Sequence, residues 1–144
     1  MKGFLVLLLI VPSWLFSTDK IDFNRQIRPI LSDKCFFCHG PDAKEIKGDL
    51  QLHSFELATQ KLGKKKNRQA LIPGDLQNSE IWKRIMTDDE DDLMPPEESH
   101  KSLKPEEKEL LKKWIEQGGK YDKQWAYQEI PQTASVNIDK LIPV

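Results

Sequence analysis

At 144 residues, 38% apolar and 31% charged, the chain has material for one small globular domain with a tail, not for two full domains. Its 22 basic and 23 acidic residues leave a formal net charge of −1, so it lacks the basic footprint of a nucleic-acid binder and no nucleic acid is expected among its partners.

Residues 1–17 read as a secretory signal peptide: Lys2 gives a basic start, Phe4 to Phe16 an apolar stretch, and Ser17-Thr18-Asp19 a polar exit. That stretch falls short of the roughly 20 apolar residues that cross a bilayer, and Pro12 interrupts it, so no retained membrane span is expected. Cleavage after Ser17 removes Lys2, leaving a net charge of −2 and a product that is periplasmic or secreted. The expected organisation is a signal peptide at 1–17, one domain at 20–122, and a C-terminal tail or linker at 123–144.

Asp22 can cap a short helix with Phe23, Ile27, Ile30 and Leu31 on one face, which Pro29 must kink or restart. Gly40-Pro41-Asp42 and Gly48-Asp49 mark irregular chain, and Leu50 and Leu52 alternate as in a brief extended piece. A second helix is expected near Ser54 to Lys61, ending at Gly63. Lys64-Lys65-Lys66-Asn67-Arg68 reads as a solvated basic loop, and Ile72-Pro73-Gly74-Asp75 as a turn. Ser79 caps a third helix with Ile81, Trp82 and Ile85 on its face. It gives way to the acidic run Asp88 to Asp92 and then Leu93-Met94-Pro95-Pro96, where the paired prolines exclude a helix and leave Met94 on a stiff loop. The fourth helix opens at Pro105, carries Glu106 and Glu107 at its positive end, buries Leu110, Leu111, Trp114 and Ile115, and closes at Gln117 before Gly118-Gly119. The fold class is all-α, with about four short helices.

The only two cysteines lie in Cys35-Phe36-Phe37-Cys38-His39. This is the pattern of c-type haem attachment: two thiols add to the porphyrin vinyl groups and the adjacent imidazole becomes the proximal iron ligand. A redox or structural dithiol is the alternative at this spacing, but the strand-then-helix alternation of a thioredoxin-like site is missing. Structural zinc would need four ligands, and only His53 and His100 remain to join the cysteines.

A low-spin electron carrier needs a sixth iron ligand. Met94 is the strongest candidate, because a thioether on a proline-stiffened loop can stay on the iron in both redox states. Met86, near a helix end, suits packing better. His53 or His100 would give bis-imidazole ligation and a lower potential, and an open sixth position would point to gas or peroxide chemistry. Phe23, Phe36, Phe37, Trp82 and Trp114 are candidates to wall the macrocycle from water. The acidic run is either a solvated loop or a surface that steers a basic partner.

Taken together, Asp22 to Ser32, Cys35 to Asp42, Ile72-Pro73-Gly74-Asp75, Ser79-Glu80-Ile81, Met94-Pro95-Pro96 and Trp114 to Gly118 resemble the planctomycete-type cytochrome c domain, from about Asp22 to Tyr127. The resemblance implies a small cytochrome c-like fold wrapped around one covalent haem c. It also implies thioethers at Cys35 and Cys38, iron held by His39, and Met94 as distal ligand. Leu93 stands where relatives often carry Arg, and Lys104 where a capping Thr or Ser is usual. The function expected is electron transfer to a redox partner protein by an exported mono-haem cytochrome that is not itself an enzyme. The alternative is a redox module serving a partner oxidoreductase or a larger secreted protein, since family members are commonly the front part of much longer chains.

Overall fold

A computed structural model describes residues 19–42, 44, 46–63 and 67–122. The signal-peptide reading, the lysines at 64–66 and the tail at 123–144 fall outside the described residues. Among those described, no helix is long and apolar enough to cross a membrane.

The first helix starts where Asp22 predicts it. The Asp22 carboxylate accepts from the Arg25 amide at 3.0 Å, and the Gln26 side chain accepts from the Asp22 amide at 2.8 Å. Pro29 has no amide hydrogen to donate into a regular ladder. The chain meets this with a π-helical turn over Phe23–Ile27 and restarts as α1, Arg28–Lys34, with Pro29 in its opening turn. Phe23, Ile27, Ile30 and Leu31 are all buried, as the spacing predicts. Cys35 leaves helical geometry at φ −123°, and the next four residues form a separate short helix, α2, Phe36–His39.

After α2 a tight turn at Lys47–Asp49 places both Gly48 and Asp49 at positive φ, 64° and 57°. Helix α3 is shorter than expected, Phe55–Ala58, with the Ser54 hydroxyl accepting from the Leu57 amide. The chain then makes a hairpin that the sequence did not reveal. Strand β1, Lys61–Leu62, runs antiparallel to β2, Arg68–Gln69, with Lys61 opposite Gln69. Strands of two residues are too short for an alternating pattern to register.

The turn at Ile72 to Asp75 forms, with the Asp75 amide bonded to the Ile72 carbonyl at 3.0 Å and Gly74 at φ 78°. Ser79 precedes α4, Glu80–Met86, but its hydroxyl does not cap that helix. The fully buried hydroxyl instead donates to the Asp75 carbonyl at 2.7 Å and accepts from the Ile72 amide at 2.9 Å, locking the turn onto the helix. Helix α5, Pro105–Glu116, buries Leu111, Trp114 and Ile115. Lys104 brings no hydroxyl cap, and the helix start is tied instead by its own first turn, where the Glu107 carboxylate accepts from the Lys104 amide at 2.8 Å. Gly118 and Gly119 close it at positive φ, and a Cβ on Gly119 would fall 2.7 Å from Leu71 Cδ2.

The described residues are mostly helical and share one core that joins the first helical segments to α4, α5 and the chain between them. Phe23, Trp114 and Tyr121 stack at its centre, with ring centroids 4.5 to 5.9 Å apart. The architecture is the small helical domain expected, with the two-residue hairpin as its departure from all-α.

Candidate haem site

Cys35, Cys38 and His39 fall on one helical turn. The Cys38 and His39 amides both bond to the Cys35 carbonyl, at 3.2 and 2.9 Å, so the motif is wound as a unit. Gly40 ends it where little else fits: a Cβ there would lie 2.4 Å from the Phe36 carbonyl oxygen. The two thiols are not joined to each other. Cys35 packs against the core, and burial, helped by the nearby Asp33 carboxylate, pushes its thiol up to about 12, so it stands protonated.

His39 is oriented from outside its own helix. Its Nδ1 lies 3.1 Å from the Leu50 carbonyl. A carbonyl can only accept, so Nδ1 carries the proton and Nε2 is the nitrogen left for a metal. Burial lowers the pKa of His39, with the Leu50 carbonyl partly opposing it, which favours the neutral imidazole that ligates metals. The same extended stretch is bonded back twice more. The Leu52 amide donates to the His39 carbonyl at 2.8 Å, and the Tyr121 hydroxyl donates to the Leu52 carbonyl at 2.9 Å. The alternation of Leu50 and Leu52 announced an extended piece. Its partner was not legible, because it pairs with a helix end rather than with another strand.

Two thiols and an imidazole on one turn, with the imidazole tautomer fixed by a backbone acceptor, are the donor set that covalent haem c requires. The residues present therefore fit the group. A metal cage is a poorer match, since no three His, Cys, Asp or Glu side chains cluster to hold an ion among the described residues. The thioredoxin-like alternative lacks its sheet, since the described residues pair only as the two-residue hairpin.

Met94 lies elsewhere. It lines an open cavity together with Ile85, Leu93, Pro95 and Leu103, edged by Glu97, His100 and Lys101, and the lining includes none of Cys35, Cys38 or His39. The two places meet through the core, where Ile85 is buried and Cys35, Phe36 and Leu103 pack against the same cluster. His100 shares the Met94 cavity. His53 follows the Leu50–Leu52 stretch instead, with a buried Nδ1 that has no hydrogen-bond partner. Met86 is exposed.

The aromatic candidates divide. Phe23 and Trp114 are core, Phe36 and Trp82 are half-buried against it, and Phe37, between the cysteines, is 86% exposed. The Phe37 side chain points away from the core because Phe36 takes the inward position on this single turn.

Residues 35–98 match the model of the family described as Planctomycete cytochrome C. Over that stretch the chain is similar to the planctomycete-type cytochrome c domain. The matched segment begins at the first cysteine of the motif and takes in both candidate iron ligands, His39 and Met94. This similarity to a cytochrome family points to covalent haem c as cofactor and to haem-based electron transfer. No curated protein and no solved structure matches the chain.

Proposed function

We propose that the cytochrome domain, spanning about residues 20–122, carries one haem c and works outside the cytoplasm as a single-electron carrier for a redox partner protein, without being an enzyme itself. The observation that carries this reading is the His39 Nδ1 contact to the Leu50 carbonyl beside two unbridged thiols on the same turn. When bound, haem c supplies an iron that accepts and returns one electron.

The chain's own residues do the rest. Cys35 and Cys38 would hold that group through thioether bonds to its two vinyl groups, each thiol hydrogen going to the other vinyl carbon. His39 Nε2 would ligate the iron, with the Leu50 carbonyl keeping the imidazole in the right tautomer and raising its basicity. Met94 would offer the distal thioether, with the apolar Ile85, Leu93 and Leu103 beside it on the same cavity. Export fits this chemistry and is supported by the sequence of residues 1–17.

The test is an absorption spectrum of the full chain, expressed with its signal peptide in a host that matures c-type haem, before and after dithionite. A sharp reduced c-type band is expected. A colourless protein in a host that matures a control cytochrome would return the motif to the dithiol reading.

A further inference from the structure

The segment carrying Met94 touches the rest of the molecule through two polar ties, one at each end. At its start, Arg84 on α4 binds the segment through both its main chain and its side chain. Its carbonyl, left over at the helix C-terminus, accepts from the Met94 amide at 2.9 Å, and its guanidinium pairs with the Asp92 carboxylate at 2.7 Å. Asp92, at the end of the acidic run, is thereby engaged in holding the loop.

At the far end, Lys101 reaches across to the last turn of α1. Its Nζ donates to the Asp33 carboxylate at 2.8 Å and to the Asp33 backbone carbonyl, two residues before Cys35. Lys34 pairs with the other carboxylate oxygen of Asp33 at 2.7 Å. A cation bonded to a C-terminal carbonyl completes that helix end and favours its dipole. Leu103, just beyond, packs against the core that also receives Cys35. Lys101 therefore links the loop bearing Met94 directly to the helix that leads into the haem-attachment turn.

We infer that Arg84 and Lys101 are positioning residues for the distal ligand, mooring the two ends of the Met94 loop so that its thioether stays within reach of the iron. This rests on the reading of Met94 as distal ligand. Each tie is a partly exposed polar contact, so each shifts the balance between bound and released thioether modestly. Losing one raises the fraction of protein with an open distal position by about two- to fivefold. Losing both acts on the same loop, so the double variant exceeds either single one.

The test uses haem-loaded full-length protein carrying Arg84→Gln, Lys101→Gln, both together, Lys101→Arg as conservative rescue, and Met94→Ala as control. Carbon monoxide affinity of the reduced protein and the reduction potential are read beside the helical circular dichroism. Expected are unchanged helical signal, carbon monoxide affinity raised about two- to fivefold in each Gln variant and further in the double, and near-native values for Lys101→Arg. Gln variants that match the native protein while Met94→Ala binds carbon monoxide freely would overturn the mooring but leave Met94 in place. If Met94→Ala itself changes neither property, the ligand reading falls and the inference with it.

Discussion

Around Cys35 to His39 the chain is held mainly by partly buried bonds to the main chain, whereas around Met94 it is held mainly by side chains at the surface. On the first side, the Leu50 and Leu52 main chain, the Tyr121 hydroxyl and the core beneath Phe23 and Leu31 fix the attachment turn. On the second, a single main-chain bond to Arg84 is supplemented by the ion pairs of Asp92 and Lys101. Partly buried bonds are less open to water, while exposed pairs yield and are weakened by salt. On the proposed reading the two flanks have different duties: the proximal side would set where the haem sits, and the distal side how firmly the iron is closed.

The largest break falls on the proximal side. Replacing both Cys35 and Cys38 with Ala removes every thiol in the chain, so denatured protein should retain no haem by mass, even if some haem stays in the folded protein. Met94→Ala, on the other flank, should leave the covalent haem in place while lowering the potential and letting the reduced protein bind carbon monoxide, read from its absorption bands. These two variants separate attachment from closure.

Much of this division was readable in the sequence, for definite reasons. The spacing of Cys35, Cys38 and His39 is local, so it specifies one turn wherever that turn is placed. Asp22, Ser54 and Pro105 mark helix starts because capping and proline chemistry act over three or four residues. What was not readable is long-range and carried by backbone atoms or commonplace side chains. The Leu50 carbonyl has no sequence signature, nor does the pairing of Lys101 with Asp33. Ser79 looked like a cap and instead locks the preceding turn, since its buried hydroxyl finds nearer acceptors there. Asp92 is in sequence one of five loop carboxylates, and only the fold sets Arg84 beside it.

A smaller effect sharpens the proximal side. Tyr121→Phe keeps the ring stacked on Phe23 but takes the donor from the Leu52 carbonyl, and should lower stability by about 1 kcal/mol in urea unfolding. The haem band should not move, because the Leu50 bond to His39 survives.

The smallest is electrostatic and belongs to the distal side. The bonds from Lys101 and then Lys34 hold the Asp33 carboxyl down at about 2. A carboxylate depressed in the folded state stabilises that state above its unfolded value of about 3.9, and the contribution is lost as pH falls through the folded value. Between pH 7 and 4 the Lys101 mooring should be insensitive to pH. Toward pH 2 it should weaken, and Asp33→Asn should remove that part of the acid titration of stability.

The most direct test is the mass of the denatured, proteolysed full-length protein from a haem c-maturing host. One haem carried on the peptide containing Cys35 to His39, with neither thiol open to alkylation, is the result predicted. A haem-free peptide in which both Cys35 and Cys38 alkylate, from a host that matures a control cytochrome, would contradict it.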